Sequence, residues 1–186
     1  MNILHIDSCA LGDHSSSRQH TAAIITELAI THPHATFQYR DLAAAPLSHA
    51  SGPLLQVLSQ RWDANIPMSA ELSAEAMQSA SLLEEFKGAD LILIGAPMHN
   101  FSVPSTLKAW LDRLLELKAC AKNQPGKRVI LVTSGCISAN DAELGHLLNN
   151  YEILLKSVFE TMGVAQLEMM RGIADLSRIT GLKTAA

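Results

Sequence analysis

Cysteine is scarce in this chain: three residues, Cys9, Cys120 and Cys136, among 186, an odd number without a C-x-x-C pair. That spacing excludes a disulfide framework and a thiolate zinc site, and it fits a reducing cytoplasm. Positive charge is also in deficit. With 14 Lys and Arg against 18 Asp and Glu, a formal net charge of -4, there is no basic field to hold nucleic acid. No apolar run approaches the roughly 18 to 20 residues that cross a bilayer, and Leu91–Pro97 has only the length of a strand. No membrane partner is expected. Met1–Asp7 lacks a basic segment and meets a carboxylate early, which is not the layout of a secretory signal, so it reads as mature sequence. Charged residues are 17% against 48% hydrophobic, too little charge for a disordered chain. The length suits one domain spanning 1–186. The eight histidines form no ligand-spaced pair, so no metal site is expected.

What is present is an alternation of two periodicities. Asn2–Asp7 is a short apolar run leading into a Ser- and Gly-containing stretch, as a buried strand entering a loop would be. From Arg18 to Ala29, the residues Ala22, Ile25, Leu28 and Ala29 recur at three- and four-residue steps and predict the core-facing side of a helix capped by a serine. Thr36–Arg40 alternates as a second strand, and Pro46 and Pro53 restrict the next segment to a linker and a short helix. Ser69–Lys87 is rich in helix formers and is punctuated by Gly88. Asp90–Pro97 is nearly continuous in apolar residues, the pattern of a central parallel strand covered on both faces. Helical spacing resumes over Pro104–Leu117, with Trp110, Leu111 and Leu114 on one side. A strand over Arg128–Thr133, a helix from about Leu144 to Met162, a strand over Ala165–Met170 and a closing helix complete the pattern. Strands alternating with helices, without repeats, predict an α/β fold: a doubly wound five-stranded parallel sheet with helices on both faces.

In such sheets ligands bind beyond the carboxyl ends of the strands, where neighbouring connections diverge. That places interest on residues 8–18, 97–103 and 134–140. The first loop sets Ser8, Ser15, Ser16 and Ser17 ahead of a helix, offering hydroxyls and free backbone N–H groups at the positive end of a helix dipole, a cradle for phosphate. The other reading is that these are ordinary loop and N-cap serines. There is no G-x-x-x-x-G-K-[ST], which disfavours nucleotide hydrolysis, and Gly12 stands alone, so a phosphomonoester suits the loop better than a dinucleotide. Cys9 lacks the arginine of a C-x-x-x-x-x-R phosphatase loop, since Ser15 occupies that position. A receiver domain would carry Asp where Ala96 and Pro97 stand.

The second loop, Pro97, Met98, His99, Asn100 and Phe101, places two apolar side chains, an imidazole and a carboxamide just past the central strand. This set suits a flat heterocycle, with Met98 and Phe101 against a ring face and Asn100 with backbone N–H groups at its polar edge. Alternatively, Met98 and Phe101 drop into the core. An imidazole titrates near neutral pH, so His99 is a candidate proton donor; a purely structural histidine is the competing reading.

The segments Ser8–Gln19 and Ala96–Arg113 together resemble the FMN-dependent NADH:quinone oxidoreductase and azoreductase family. Its members show S-S-x-x-x-x-x-S-x-S-R in the first loop and P-M-Y-N-F-x-[IV]-P-x-x-L-K-x-W-[IL]-D-R in the second, and the likeness runs more loosely over almost the whole chain. The resemblance implies a flavodoxin-like fold, a homodimer with flavin sites near its interface, bound FMN, and NADH as co-substrate for two-electron reduction of quinones and reductive cleavage of aromatic azo compounds. Flavin N5 would carry the hydride, so no side chain need act as nucleophile. On that reading Cys9, Ser15, Ser16 and Ser17 meet the FMN phosphate, Pro97, Met98, His99, Asn100 and Phe101 line the ring, and Ser134 and Gly135 flank it from the third loop. The chain departs from the family in four places. Cys9 stands for the second serine, a weak thiol donor in place of a hydroxyl. His99 stands where tyrosine is common. The stretch 117–127 lacks a longer aromatic insert resembling F-x-Y-T-x-x-G-P-x-G. Ser134-Gly-Cys-Ile137 replaces S-R-G-G, removing an arginine near the flavin. A shortened pocket leaves an FMN-binding electron carrier, or a non-catalytic module of the same fold, as the alternative function.

Overall fold

The central strands are apolar on both sides because both sides are covered. In the computed structural model, which describes residues 1–117, 126–133 and 142–172, all five residues of β3 (Leu91–Gly95) are buried. It lies in the middle of a five-stranded, all-parallel sheet of order β2-β1-β3-β4-β5, with β1 at Asn2–Asp7, β2 at Thr36–Asp41, β4 at Arg128–Val132 and β5 at Gln166–Met170. Five helices accompany it among the described residues: α1 (Ser16–Thr31), α2 (Gly52–Leu58), α3 (Ala70–Gly88), α4 (Ser105–Glu116) and α5 (Ala142–Thr161). The sequence-predicted elements are all present within two residues at each end; the closing helix lies outside the described residues.

The pleat divides the core. Ile3, Leu91, Leu93, Ile130 and Val132 face α1, where Ile24 and Leu28 meet them. Leu4, Ile6, Ile92, Ile94, Val129 and Leu131 face the other way and pack against Leu82 and Phe86 of α3, Trp110 and Leu114 of α4, and Leu155 and Phe159 of α5. The chain leaves β1 for β2 on one side, then returns to β3 on the other. The ends of β1 and β3, Asp7 paired with Gly95, therefore flank the point where the connections part.

The expected face of α1 needs correction. Its buried residues are Ser17, Thr21, Ile24 and Leu28, whereas Ala22 and Ala29 are exposed and Ile25 is half-buried. Apolar spacing pointed about a quarter of a turn away because two of the inward positions are polar. They are polar because a carboxylate lies beneath them. Asp7 is 2% exposed, and it accepts from Thr21 Oγ1 at 2.9 Å and from Tyr39 Oη at 3.0 Å. His5 Nε2 stands at 3.4 Å and Arg18 Nη1 at 3.7 Å. Arg18 in turn donates to Asp41 at 2.6 Å, to Tyr39 Oη at 2.8 Å and to the Cys9 carbonyl at 3.3 Å. The first turns of α1 are thus fastened to the edge strand β2 by charge-assisted bonds.

Burial and the neighbouring carboxylates push the Tyr39 phenol up. The hydrogen bond from Arg18 holds the Asp41 carboxyl down at about 2 against burial. At the opposite end of the sheet Lys127, itself buried, donates to the carbonyls of Phe86, Lys87 and Ala89 and lies 5.1 Å above the Phe86 ring. A cation so placed satisfies the last carbonyls of α3. Its ammonium is held below its usual range by burial, with Asp90 acting in the opposite sense.

Two measurements check this arrangement. A Cβ on Gly95 would stand 2.9 Å from Asp7 Oδ1, which the Thr21 hydroxyl holds in place, so Gly95→Ala is expected to cost about 1–3 kcal/mol in urea unfolding. Asp41→Asn is expected to cost of order 2 kcal/mol at pH 7. Because the folded carboxyl lies below its unfolded value, the difference from the parent protein is full above the unfolded value near 4. It vanishes as pH falls through about 2, which unfolding curves between pH 7 and pH 2 will show.

Candidate functional site

Two loops meet where the connections part. Ser8 Oγ donates to the Gly95 carbonyl at 2.6 Å, and Thr106 Oγ1 at the start of α4 donates to the Ser8 carbonyl at 2.7 Å. The end of β1 is thereby tied to both the end of β3 and the helix after it. Between the loops lies a crevice of about 330 Å³ lined by Ser8, Ala10, His99, Asn100 and Ser102–Thr106.

The first loop turns through a short 3-10 helix, Gly12–His14, into Ser15, the N-cap of α1. Ser15 Oγ accepts from the Arg18 N–H at 3.3 Å and pairs with Ser17 Oγ at 2.9 Å, and both hydroxyls are buried. Ser15 is thus an N-cap serine as well as a loop residue, and it shapes the turn. Ser16 is exposed. The backbone N–H groups of Ser16 and Ser17 have no acceptor among the described residues. They stand at the positive end of a 16-residue helix, an arrangement suited to an anion. Arg18 is not available to that anion as a free charge, because Asp41 and Asp7 already hold it.

The second loop leaves β3 with Pro97 and Met98 buried. Met98 joins the core cluster containing Trp110 and Tyr151, so one of the two apolar side chains did drop inward. Phe101 did not; it is 68% exposed. His99 and Ser102 exchange backbone hydrogen bonds at 2.8 and 2.9 Å around a two-residue turn, with φ of 45° at Asn100 and 67° at Phe101. Two positive φ values mark a type I′ turn, for which Asn is suited and a bulky aromatic is strained. Such strain persists where surroundings enforce it, commonly at ligand sites. The Asn100 and Phe101 N–H groups have no acceptor among the described residues. His99 is half-buried, and its Nε2 lies 3.4 Å from the buried Cys9 Sγ, a free thiol.

Beneath this loop Tyr151 donates to the Ala96 carbonyl at 2.9 Å, and burial, with Glu152 beside it, pushes its phenol up so that it stays a donor. At the end of β4, Glu152 accepts from Thr133 at 2.7 Å and from Arg171 at 2.7 and 2.9 Å. Burial would raise its carboxyl, but these bonds prevail and hold it down. Ser134 and Gly135, with Cys120, Cys136 and most of 117–127, lie outside the described residues.

The long motif Ala96–Arg113 therefore divides by role. Its first part forms the crevice. Its last part is scaffold: Trp110 packs edge-on against Phe86 with centroids 6.2 Å apart. Arg113, fully buried, donates to Ser79 Oγ at 2.8 Å, to Ser48 Oγ at 2.7 Å and to Glu75 Oε1 at 3.3 Å. Sequence reasoning missed Thr106, Tyr151 and the Asp7 cluster. The signals were present only as single polar residues inside apolar elements.

The free donors fit FMN at both ends: N–H groups and a hydroxyl at α1 for the phosphate dianion, and turn N–H groups with the Asn100 carboxamide for the polar edge of a ring. Comparison with known proteins bears on the family and the cofactor. A family model described as a flavodoxin-like fold matches residues 1–184. An FMN-dependent NADH:quinone oxidoreductase of Methylocella silvestris is 40% identical over 181 residues, covering 92% of this chain and 86% of the relative. That of Chromobacterium violaceum is 35% identical over 182 residues, covering 94% and 88%. Among solved structures, an azoreductase from Bacillus anthracis superposes with a TM-score of 0.75 at 14% identity, covering 91% of this chain and 85% of that one. An FMN-dependent NADH-azoreductase from the same species, in complex with FMN, gives 0.74 at 17%, covering 96% and 93%. With the sheet order, the two loops and these relatives in agreement, the chain belongs to the flavodoxin-like family, among the FMN-dependent NADH:quinone oxidoreductases.

Proposed function

We propose that this chain is an FMN-dependent oxidoreductase that reduces quinones, and also aromatic azo compounds, by two electrons at the expense of NADH. The observation that carries this reading is the pair of donor sets without an acceptor among the described residues, the N–H groups of Ser16 and Ser17 at the start of α1 and those of Asn100 and Phe101 in the turn after β3, in a chain with 35–40% identity to enzymes of that name. Bound FMN supplies the hydride chemistry; the protein binds, orients and shields. Ser15, Ser16 and Ser17 hold the phosphate. Pro97 and Met98 fix the loop from below, His99, Asn100 and Phe101 border the ring, and Ser134 and Gly135, which lie outside the described residues, belong to the same set on the family resemblance. His99 is placed to give a proton to the reduced acceptor. Among the described residues that line the crevice, only His99 carries an acid–base side chain.

The reading extends to a single domain over 1–186 acting as a homodimer in the cytoplasm. Exposed Leu147, Ile153 and Leu154 on α5 support self-association. No described helix is long and apolar enough to cross a membrane.

Incubation with FMN and desalting is expected to yield a yellow protein whose flavin bands bleach anaerobically on addition of NADH. Steady-state NADH oxidation with menadione then separates the enzyme from a carrier, for which flavin would be retained without turnover. Ser16→Glu puts a negative charge at the first position of α1, where it favours the helix by about 0.3–1 kcal/mol yet repels a phosphate. The variant is expected to keep or raise the melting temperature while binding FMN at least tenfold more weakly and riboflavin unchanged. Phe101→Gly relieves a positive φ on an exposed residue and is expected to stabilise the fold by about 1 kcal/mol, with a lower kcat for menadione reduction.

A further inference from the structure

We propose that Cys9 is a positioning residue for His99, and not a phosphate ligand like the serine it replaces. This inference rests on the reading that the crevice holds FMN only for its functional consequence; the contact itself belongs to the protein alone. The Cys9 backbone is fixed on both sides. Ser8 is bound to Gly95 and to Thr106, and the Cys9 carbonyl accepts from Arg18, which Asp41 and Asp7 hold in turn. From this post the buried thiol lies 3.4 Å from the Nε2 of His99, 90 positions along the chain. Among the described residues it is the polar partner of that ring. The His99 backbone is equally fixed, by its two bonds to Ser102 around the strained turn. Two rigid loops therefore meet through one side-chain contact.

The chemistry of the pair sets its polarity. A thiol is a weak donor and a weak acceptor, whereas the lone pair of a neutral imidazole nitrogen is a good acceptor. The S–H accordingly donates to Nε2, and the ring proton resides on Nδ1. Cys9 thus selects one tautomer and one ring orientation for His99. A neutral histidine with a fixed Nδ1–H is a defined hydrogen-bond donor; one free to flip is not. Because the thiol is committed to the second loop, the anion at α1 is left to the serines and the backbone.

Two measurements test this. In the flavin-free protein, long-range 1H–15N spectra of the His99 ring are expected to show the Nδ1–H tautomer, and Cys9→Ala to return the ring to the Nε2–H tautomer that free histidine prefers. An Nε2–H or mixed tautomer in the unsubstituted protein overturns the proposal, whatever the variant does. Flavin fluorescence titrations with FMN and riboflavin give the second arm. Loss of one weak hydrogen bond predicts that Cys9→Ala weakens both ligands by the same factor, about fivefold. The double variant with His99→Phe should bind no worse than His99→Phe alone. A loss confined to FMN, with riboflavin spared, would make Cys9 a phosphate ligand and refute the assignment. If the unsubstituted protein binds neither flavin, the FMN reading fails, and the tautomer spectra still decide the Cys9 to His99 contact.

Discussion

A carboxylate almost wholly removed from water closes the end of β1, and the geometry of the crevice depends on its being satisfied. Asp7 would be costly to bury alone. It is tolerable because Thr21, Tyr39, His5 and Arg18 converge on it from three different elements. Each partner carries a constraint with it. Thr21 sets the roll of α1, Tyr39 and Arg18 draw the edge strand in, and the space that remains beside the carboxylate admits only glycine at position 95. The first turn of α1 is therefore fixed relative to β1 and β3, and its free N–H groups point where the sheet's connections part.

That constraint explains why the two signature segments look polar for different reasons. In the first, Ser15 and Ser17 pair with each other inside the turn while Ser16 faces outward. In the second, Asn100 and Phe101 accept an unfavourable backbone so that the turn presents unpaired donors. Arg113 and Trp110, equally prominent as motif residues, never approach the crevice. They bind α4 to α3 and to the linker before α2. A motif of this length records a scaffold and a site together, and only distances separate them.

The strands and most helices are readable from the chain because their signals are local. A run such as Leu91–Gly95 has no plausible place other than a doubly covered strand, and Ser51 and Ser69 announce the starts of α2 and α3 by capping them. The face of α1 is not readable in this way. Ser17 and Thr21 turn inward, Thr21 to a charge 14 positions distant in sequence, and periodicity counts only apolar residues. Met98 and Phe101 are equally apolar on paper. The pleat and the strained turn sent one into the core and the other into solvent.

The sequence by itself determined the class of fold and the succession of elements, and with them the loops that follow β1 and β3, since all of these arise from patterns spanning ten or twenty residues. The tertiary structure alone decided which serine hydroxyls turn inward, that Arg18 is spent on Asp41, that Lys127 caps α3, and that the Cys9 thiol meets His99. Those contacts join residues up to 90 positions apart. No local preference encodes them; they exist because the sheet brings distant segments together at both of its ends and each buried polar group there must find a partner.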